Sequence, residues 1–117
     1  MKSEKIQQYI DYFSKNDFEF FTMYGRFYKY HEVVNEFIDA FYKSELSDPN
    51  YLETMSNYQE PHLQLIKIAD KHLIKSIFTY YVRGERFCEG MWADAIQDKI
   101  FLNILIRLNQ IEEESYN

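Results

Sequence analysis

A chain of 117 residues with 46% apolar side chains is one domain's worth of polypeptide with enough material for one core. Its 22 aromatic residues (1 Trp, 11 Tyr, 10 Phe) exclude a disordered chain, and 3 Gly, 2 Pro and 1 Cys exclude collagen-like and disulfide-scaffold classes. The balance of 13 Lys and Arg against 19 Asp and Glu, a net charge of −6, leaves no basic stripe for direct nucleic-acid binding.

The acid concentrates early. Residues 1–60 hold 6 basic and 11 acidic side chains, and residues 61–117 hold 7 and 8. With Cys88 as the one cysteine, an intramolecular disulfide is excluded, as suits a reducing compartment. The opening MKSEKIQQYIDYF has no apolar run of signal-peptide length, and no run approaches the roughly 20 residues of a membrane span. A cytoplasmic protein without membrane contact is expected.

In chain order, Ile6, Tyr9, Ile10 and Phe13 recur at helical spacing over Ser3 to Ser14, with Ser3 as N-cap. Residues 15–30 are dense in rings. Phe18 and Phe20 alternate with Asp17 and Glu19, whereas Phe20, Phe21, Tyr24, Phe27 and Tyr28 fit a helical stripe broken by Gly25. The segment reads as irregular, with a helical turn or one short extended piece. His31 to Glu45 reads as a helix with Val34, Phe37, Ile38, Phe41 and Tyr42 on one face. Asp48 followed by Pro49 predicts the start of a short helix with Leu52 and Met55 inward.

A loosely periodic run (Leu63, Leu65, Ile66, Ile68) starts at Pro61. Asp70 then caps a helix from Lys71 to Val82, with Leu73, Ile74, Ile77, Phe78 and Tyr81 buried. Gly84 interrupts. A further helix from about Glu85 to Gln97 would bury Cys88, Trp92, Ala95 and Ile96, and a last one over Ile100 to Ile111 carries Leu102, Leu105, Ile106 and Leu108. Period-2 alternation is nearly absent. The expected fold is all-α: a single domain over 1–117, five or six short helices around one aromatic-rich core, with the acidic tail 112–117 frayed.

The run Arg83, Gly84, Glu85, Arg86, Phe87, then Gly90 and, after a helix, Leu105, Arg107 and Leu108, resembles the bacterial Domain of Unknown Function 6508 family. The match is specific over the last third of the chain and looser before it. The resemblance implies a small, largely helical single domain and brings no activity with it; a bacterial or phage protein is expected. Where many relatives carry a Gly before the final helix, this chain has Lys99, for which a left-handed cap is costlier.

The polar cluster of that run is the first site candidate. Arg83 and Arg86 could fork onto a phosphate or carboxylate, Gly84 would admit a ligand, and Glu85 or Glu89 could act as base or orient an arginine, with Trp92 nearby. In the competing structural reading Arg83 satisfies carbonyls at the end of the preceding helix, Arg86 and Glu85 pair with acids on neighbouring helices such as Glu36, Asp39 or Asp94, Gly84 makes the turn and Phe87 closes the core. Cys88 reads as a small buried hydrophobe, and Trp92 as core. His31, His62 and His72 have no zinc-ligand spacing, no phosphate-loop or dinucleotide motif occurs, and neither metal nor cofactor is expected.

The second candidate is an interaction patch formed by Phe20, Phe21, Tyr24, Phe27 and Tyr28, with Arg26 and Lys29 among them. With no catalytic motif present, the expected function is a non-enzymatic protein-interaction or regulatory module, binding a protein partner or itself. The alternative is a small-anion or nucleotide-binding protein, with or without enzymatic activity, built on Arg83, Glu85 and Arg86. Scattered rather than contiguous surface acids would argue against mimicry of nucleic acid.

Overall fold

A computed structural model of the chain describes residues 1–115. Among them run α1 (Ser3–Phe13), a hairpin of β1 (Phe21–Tyr24) and β2 (Phe27–Tyr30), α2 (Glu32–Lys43), α3 (Tyr51–Met55), α4 (His62–Ile68), α5 (Lys71–Gly84), α6 (Met91–Gln97) and α7 (Ile100–Ser115). The protein is mostly helical, as its sequence predicts. None of the described helices is long and apolar enough to cross a membrane.

The core is a stack of rings from four helices. Phe37 of α2 is fully buried and meets Phe13 at 5.0 Å, Phe101 at 5.2 Å, Phe78 at 5.5 Å and Tyr9 at 5.1 Å. Phe41 joins Phe78 at 4.6 Å. Each large ring removes on the order of 150–250 Å² from water, which explains how a short chain with few aliphatic runs holds a core. α7 lies in the middle, packed on α1, α4, α5 and α6. Tyr42 and Leu52, expected inward, are instead exposed, and Tyr51 is buried in place of Leu52.

Local side-chain caps start α2 and α5. The Asp70 carboxylate accepts the Leu73 N–H at 2.9 Å and starts α5 as expected. His31 caps α2, its Nδ1 accepting the Val33 N–H at 3.3 Å and lying 2.9 Å from the Tyr12 hydroxyl. Other caps differ from the expected ones. α1 is preceded by Lys2 with no side-chain cap, and the Ser3 hydroxyl donates to Glu112. Asp48 lies upstream of the α3 cap. It accepts the Asn50 N–H at 2.9 Å and the hydroxyl of buried Ser76 at 2.5 Å, while its own N–H donates to Thr79. That ties the α2–α3 connection to α5.

Residues 21–30 form a regular hairpin rather than an irregular segment. The register pairs Phe21 with Tyr30, Thr22 with Lys29, Met23 with Tyr28 and Tyr24 with Phe27. The turn has two residues, Gly25 and Arg26, and Gly25 has φ +60°, as the first central residue of a II′ turn requires. Directly opposed residues share a face, so Phe21, Met23, Tyr28 and Tyr30 look one way and Thr22, Tyr24, Phe27 and Lys29 the other. The base of the hairpin is anchored: the His31 N–H donates to Phe20 O at 2.8 Å, and Phe20 packs on Tyr12 at 5.2 Å and Phe18 at 4.8 Å.

Further departures lie around α6 and α7. α5 continues through Gly84, and α6 begins only at Met91, with turns between them. Phe87 is therefore 80% exposed rather than closing the core, and Cys88 is exposed rather than buried. Lys99 does take the left-handed conformation, φ +63°, despite its side chain. α7 runs on through Glu112, Glu113 and Glu114 to Ser115 rather than fraying at 112, and positions 116–117 of the expected tail lie outside the described residues.

Candidate functional site

The connection from α5 to α6 is where the Arg83–Phe87 run folds. α6 has a problem at its start. Its cap position is Gly90, which has no side chain, so the first amide groups of the helix need acceptors from elsewhere. Glu85 supplies them. Its Oε2 accepts the Gly90 N–H at 2.9 Å, and its Oε1 accepts the Trp92 N–H at 2.8 Å. The Tyr30 hydroxyl donates to the same carboxylate at 3.0 and 3.1 Å and accepts the Ala93 N–H at 3.2 Å. A carboxylate at a helix N-terminus is further favoured by the helix dipole. Burial, and then the Glu85 charge and hydrogen bond, push the Tyr30 hydroxyl well above the ordinary tyrosine range, so it stays a donor.

Both glycines of this connection have close neighbours, a movable methionine side chain at Gly84 and an aromatic ring at Gly90. A Cβ on Gly84 would lie 1.9 Å from Met91 Sδ. Gly90 has φ +93°, and a Cβ there would fall 2.7 Å from the Tyr28 ring. Tyr28 and Tyr30 stack at 6.1 Å, Tyr30 meets the Trp92 ring at 5.2 Å, and the Trp92 indole N–H donates to Val82 O at 2.8 Å. The inner face of the hairpin, the end of α5 and the start of α6 are thus one packed unit.

The two arginines are separated. Arg83, on the last turn of α5, lies 5.5 Å over the Tyr51 ring. Arg86, past the helix end, is exposed and borders a small cavity of about 260 Å³ with Ile38, Tyr42, Val82, Glu85 and Trp92. Among the described residues neither forms an ion pair: Glu36 pairs with Lys5 and Asp39 with Lys43. The expected network onto Glu36, Asp39 or Asp94 is absent, and so is a shared two-arginine pocket. Glu85 is committed to three donors, which is the chemistry of a structural lock rather than of a free base. Glu89 is exposed beside it. Among the described residues no group of three or more His, Cys, Asp and Glu is placed to hold a metal.

Residues 2–114 match the model of a family of unknown function, DUF6508. The chain belongs to that family. Comparisons with curated proteins and with solved structures give no match. For this DUF6508 member, geometry accounts for Gly84, Glu85 and Gly90 as the residues that join α5, α6 and the hairpin.

The expected aromatic patch divides in the same way. Phe20 points into the Tyr12 and Phe18 cluster, and Phe21 and Tyr28 are half-buried on the inner face of the hairpin. Tyr24 is 62% exposed and Phe27 69% exposed on the outer face, and Met23 at the tip is exposed as well. Lys29 lies over the Tyr24 ring at 5.8 Å. Sequence reasoning missed Met23, and it missed Tyr30 as the partner of Glu85. The Gly-Arg pair between two runs of β-forming residues was the available signal for the hairpin.

Proposed function

We propose that this protein is a non-enzymatic interaction module that docks a partner protein through its hairpin arm. The observation that carries this reading is the outer face of the arm, where Tyr24 and Phe27 are directly opposed and both mostly exposed. A two-stranded hairpin is marginal alone and gains from a third strand or a covering surface. Here the helices hold the base and inner face, while among the described residues no further strand pairs with either edge. Open edges accept an extended segment by main-chain pairing, with side-chain specificity from alternate positions.

Charge supports one kind of occupant. The tip carries Arg26 and Lys29 with no acid between Phe20 and Tyr30, in a chain whose net charge is −6. An extended partner segment with apolar and acidic residues complements that surface. A basic one does not. Several exposed acids are paired with Lys5, Lys43, Lys71 or Arg107, which favours ordinary solubility over nucleic-acid mimicry. A lone thiol at Cys88 fits a cytoplasmic setting.

The test is selection of displayed extended peptides on the folded protein. Acidic, β-forming sequences should be enriched, should shift the amide signals of residues 21–30, and should lose binding to the Tyr24→Ser, Phe27→Ser double variant. Enrichment of nothing, or binding that maps away from the arm, overturns the reading. A monomer–dimer equilibrium abolished by the same variant would replace the foreign partner with a second copy.

A further inference from the structure

The hairpin has two edges, and its ladder decides which backbone groups each edge offers. In an antiparallel pair, opposed residues alternate between exchanging hydrogen bonds and turning their N–H and C=O groups outward. The His31 N–H donates to Phe20 O at 2.8 Å, one step below the Phe21–Tyr30 pair. Counting from there, Thr22–Lys29 and Tyr24–Phe27 are the hydrogen-bonded pairs, and the second of them closes the two-residue turn. Phe21 and Met23 therefore direct their N–H and C=O groups away from β2, and Tyr28 and Tyr30 direct theirs away from β1.

The two edges differ in what lies against them. β2 is the strand tied to the helices. The Tyr30 hydroxyl donates to Glu85, α2 begins two residues after β2, and Asn35 Nδ2 donates to the outward Tyr30 O at 3.5 Å. On β1, among the described residues, no hydrogen bond of the protein ends on the outward groups of Phe21 or Met23.

Positive charge is also carried to β1. Lys29 belongs to β2, yet its Nζ lies 5.8 Å from the centroid of the Tyr24 ring on the outer face. Among the described residues neither Lys29 nor Arg26 forms an ion pair. A concavity of about 270 Å³ is bordered by Thr22, Tyr24 and Lys29, and Glu19 borders it from the base of the hairpin. The cations thus stand towards the tip and the one nearby acid at the base.

We infer that the partner segment adds as a third strand along β1, with an acidic side chain on the outer face opposite Tyr24, where Lys29 and Arg26 receive it. The inference rests on the arm being the docking surface, and it assigns that surface an edge, a register and a specificity-determining pair. The N–H and C=O groups of Phe21 and Met23 supply the main-chain bonds. A residue opposite Tyr24 on the new strand falls at a non-hydrogen-bonded pair, where side chains come closest. The next outer-face position, opposite Thr22, is nearer Glu19 and takes an uncharged side chain. A second copy of this chain fits less well, because its own β1 (Phe21–Tyr24) has no acid to offer.

The experiment titrates the ¹⁵N-labelled full chain with two capped synthetic peptides, Val-Thr-Val-Glu-Val-Thr-Val and the same sequence with Lys at its centre. With the Glu peptide, amide hydrogen exchange at Phe21 and Met23 should slow, while Tyr28 and Tyr30 keep the rates of the free protein. The Glu peptide should bind about five-fold more tightly than the Lys peptide, the upper end for one solvent-accessible charge pair. Lys29 is exposed, so Lys29→Gln should fold normally and narrow that gap. Slowed exchange at Tyr28 and Tyr30 instead, or binding at the arm with no newly protected amide, overturns the edge assignment and leaves the arm as the docking surface. Equal binding of the two peptides overturns the acidic position. Binding of neither peptide, or shifts confined to residues outside 21–30, overturns the docking reading and this inference with it.

Discussion

Removing the Glu85 side chain is the sharpest perturbation of the connection between α5, α6 and the hairpin. Glu85→Ala leaves three donors without their acceptor: the Gly90 and Trp92 amides and the Tyr30 hydroxyl. Loss of a helix cap costs about 0.5–2 kcal/mol, and a hydrogen bond to a charged group contributes roughly 1.5–3 kcal/mol. The carboxylate is half-buried, so water replaces part of what is lost, and a total near 3 kcal/mol is expected. For 117 residues, an unfolding entropy of about 2.1 cal/mol/K per residue turns this into a fall in Tm of roughly 12 °C. Arg86→Ala removes an exposed side chain with no ion-pair partner among the described residues and should stay within about 0.5 kcal/mol. Thermal and urea melts of both variants check the contrast. A double-mutant cycle of Glu85→Ala with Tyr30→Phe should give a coupling above about 0.5 kcal/mol. Equal costs for Glu85→Ala and Arg86→Ala, or a Glu85→Ala cost below about 1 kcal/mol, would refute the cap.

Lys99→Gly should stabilise the protein by about 0.5–1 kcal/mol in a urea melt, because it relieves a left-handed residue and costs some unfolded-chain entropy in return. Gly90→Ala should cost about 2 kcal/mol or more by the same assay, since φ +93° and the Tyr28 ring both oppose a Cβ. At low pH, Asp48 is held below its ordinary value first by the Ser76 hydrogen bond and then by the Asn50 amide. Its contribution is therefore present above pH 3.8 and lost as the pH falls through and below it, and Asp48→Asn should flatten the acid limb of stability against pH. At high pH the sign reverses. Burial, aided at Tyr9 by Glu36, raises Tyr9, Tyr12 and Tyr81 to about 12, so stability should fall as the pH climbs above 10, with these phenols lagging in an absorbance titration at alkaline pH.

The helices were legible in the sequence where one face repeats every three to four residues and a capping side chain marks the start. α5 is the clearest case, with Asp70 before it and Leu73, Ile74, Ile77 and Phe78 along its buried face. The hairpin was not read because its strands are four residues each and aromatic on both faces, so the period of two that marks a half-buried strand is masked. The turn needed only Gly25 with a positive φ, a property equally consistent with a broken helix. The start of α6 failed for another reason. Its acceptors come from Glu85 and from Tyr30, and the bond that Tyr30 accepts from the Ala93 N–H spans 63 residues, beyond any local signal.

The same long-range contacts link the Arg83–Gly90 run to the arm. α6 has seven residues, too few to hold its own first turn, and its glycine cap offers no side chain. Glu85 and Tyr30 close that turn together, so the bond that caps α6 also fixes the base of β2. Gly90 completes the contact by letting Tyr28 lie against the chain. The Arg83–Gly90 run therefore sets the attitude of the hairpin without touching its outer face. Restoring the cap in Glu85→Ala by a second substitution near Gly90 should recover the fold and the arm's position together, because one set of hydrogen bonds holds both.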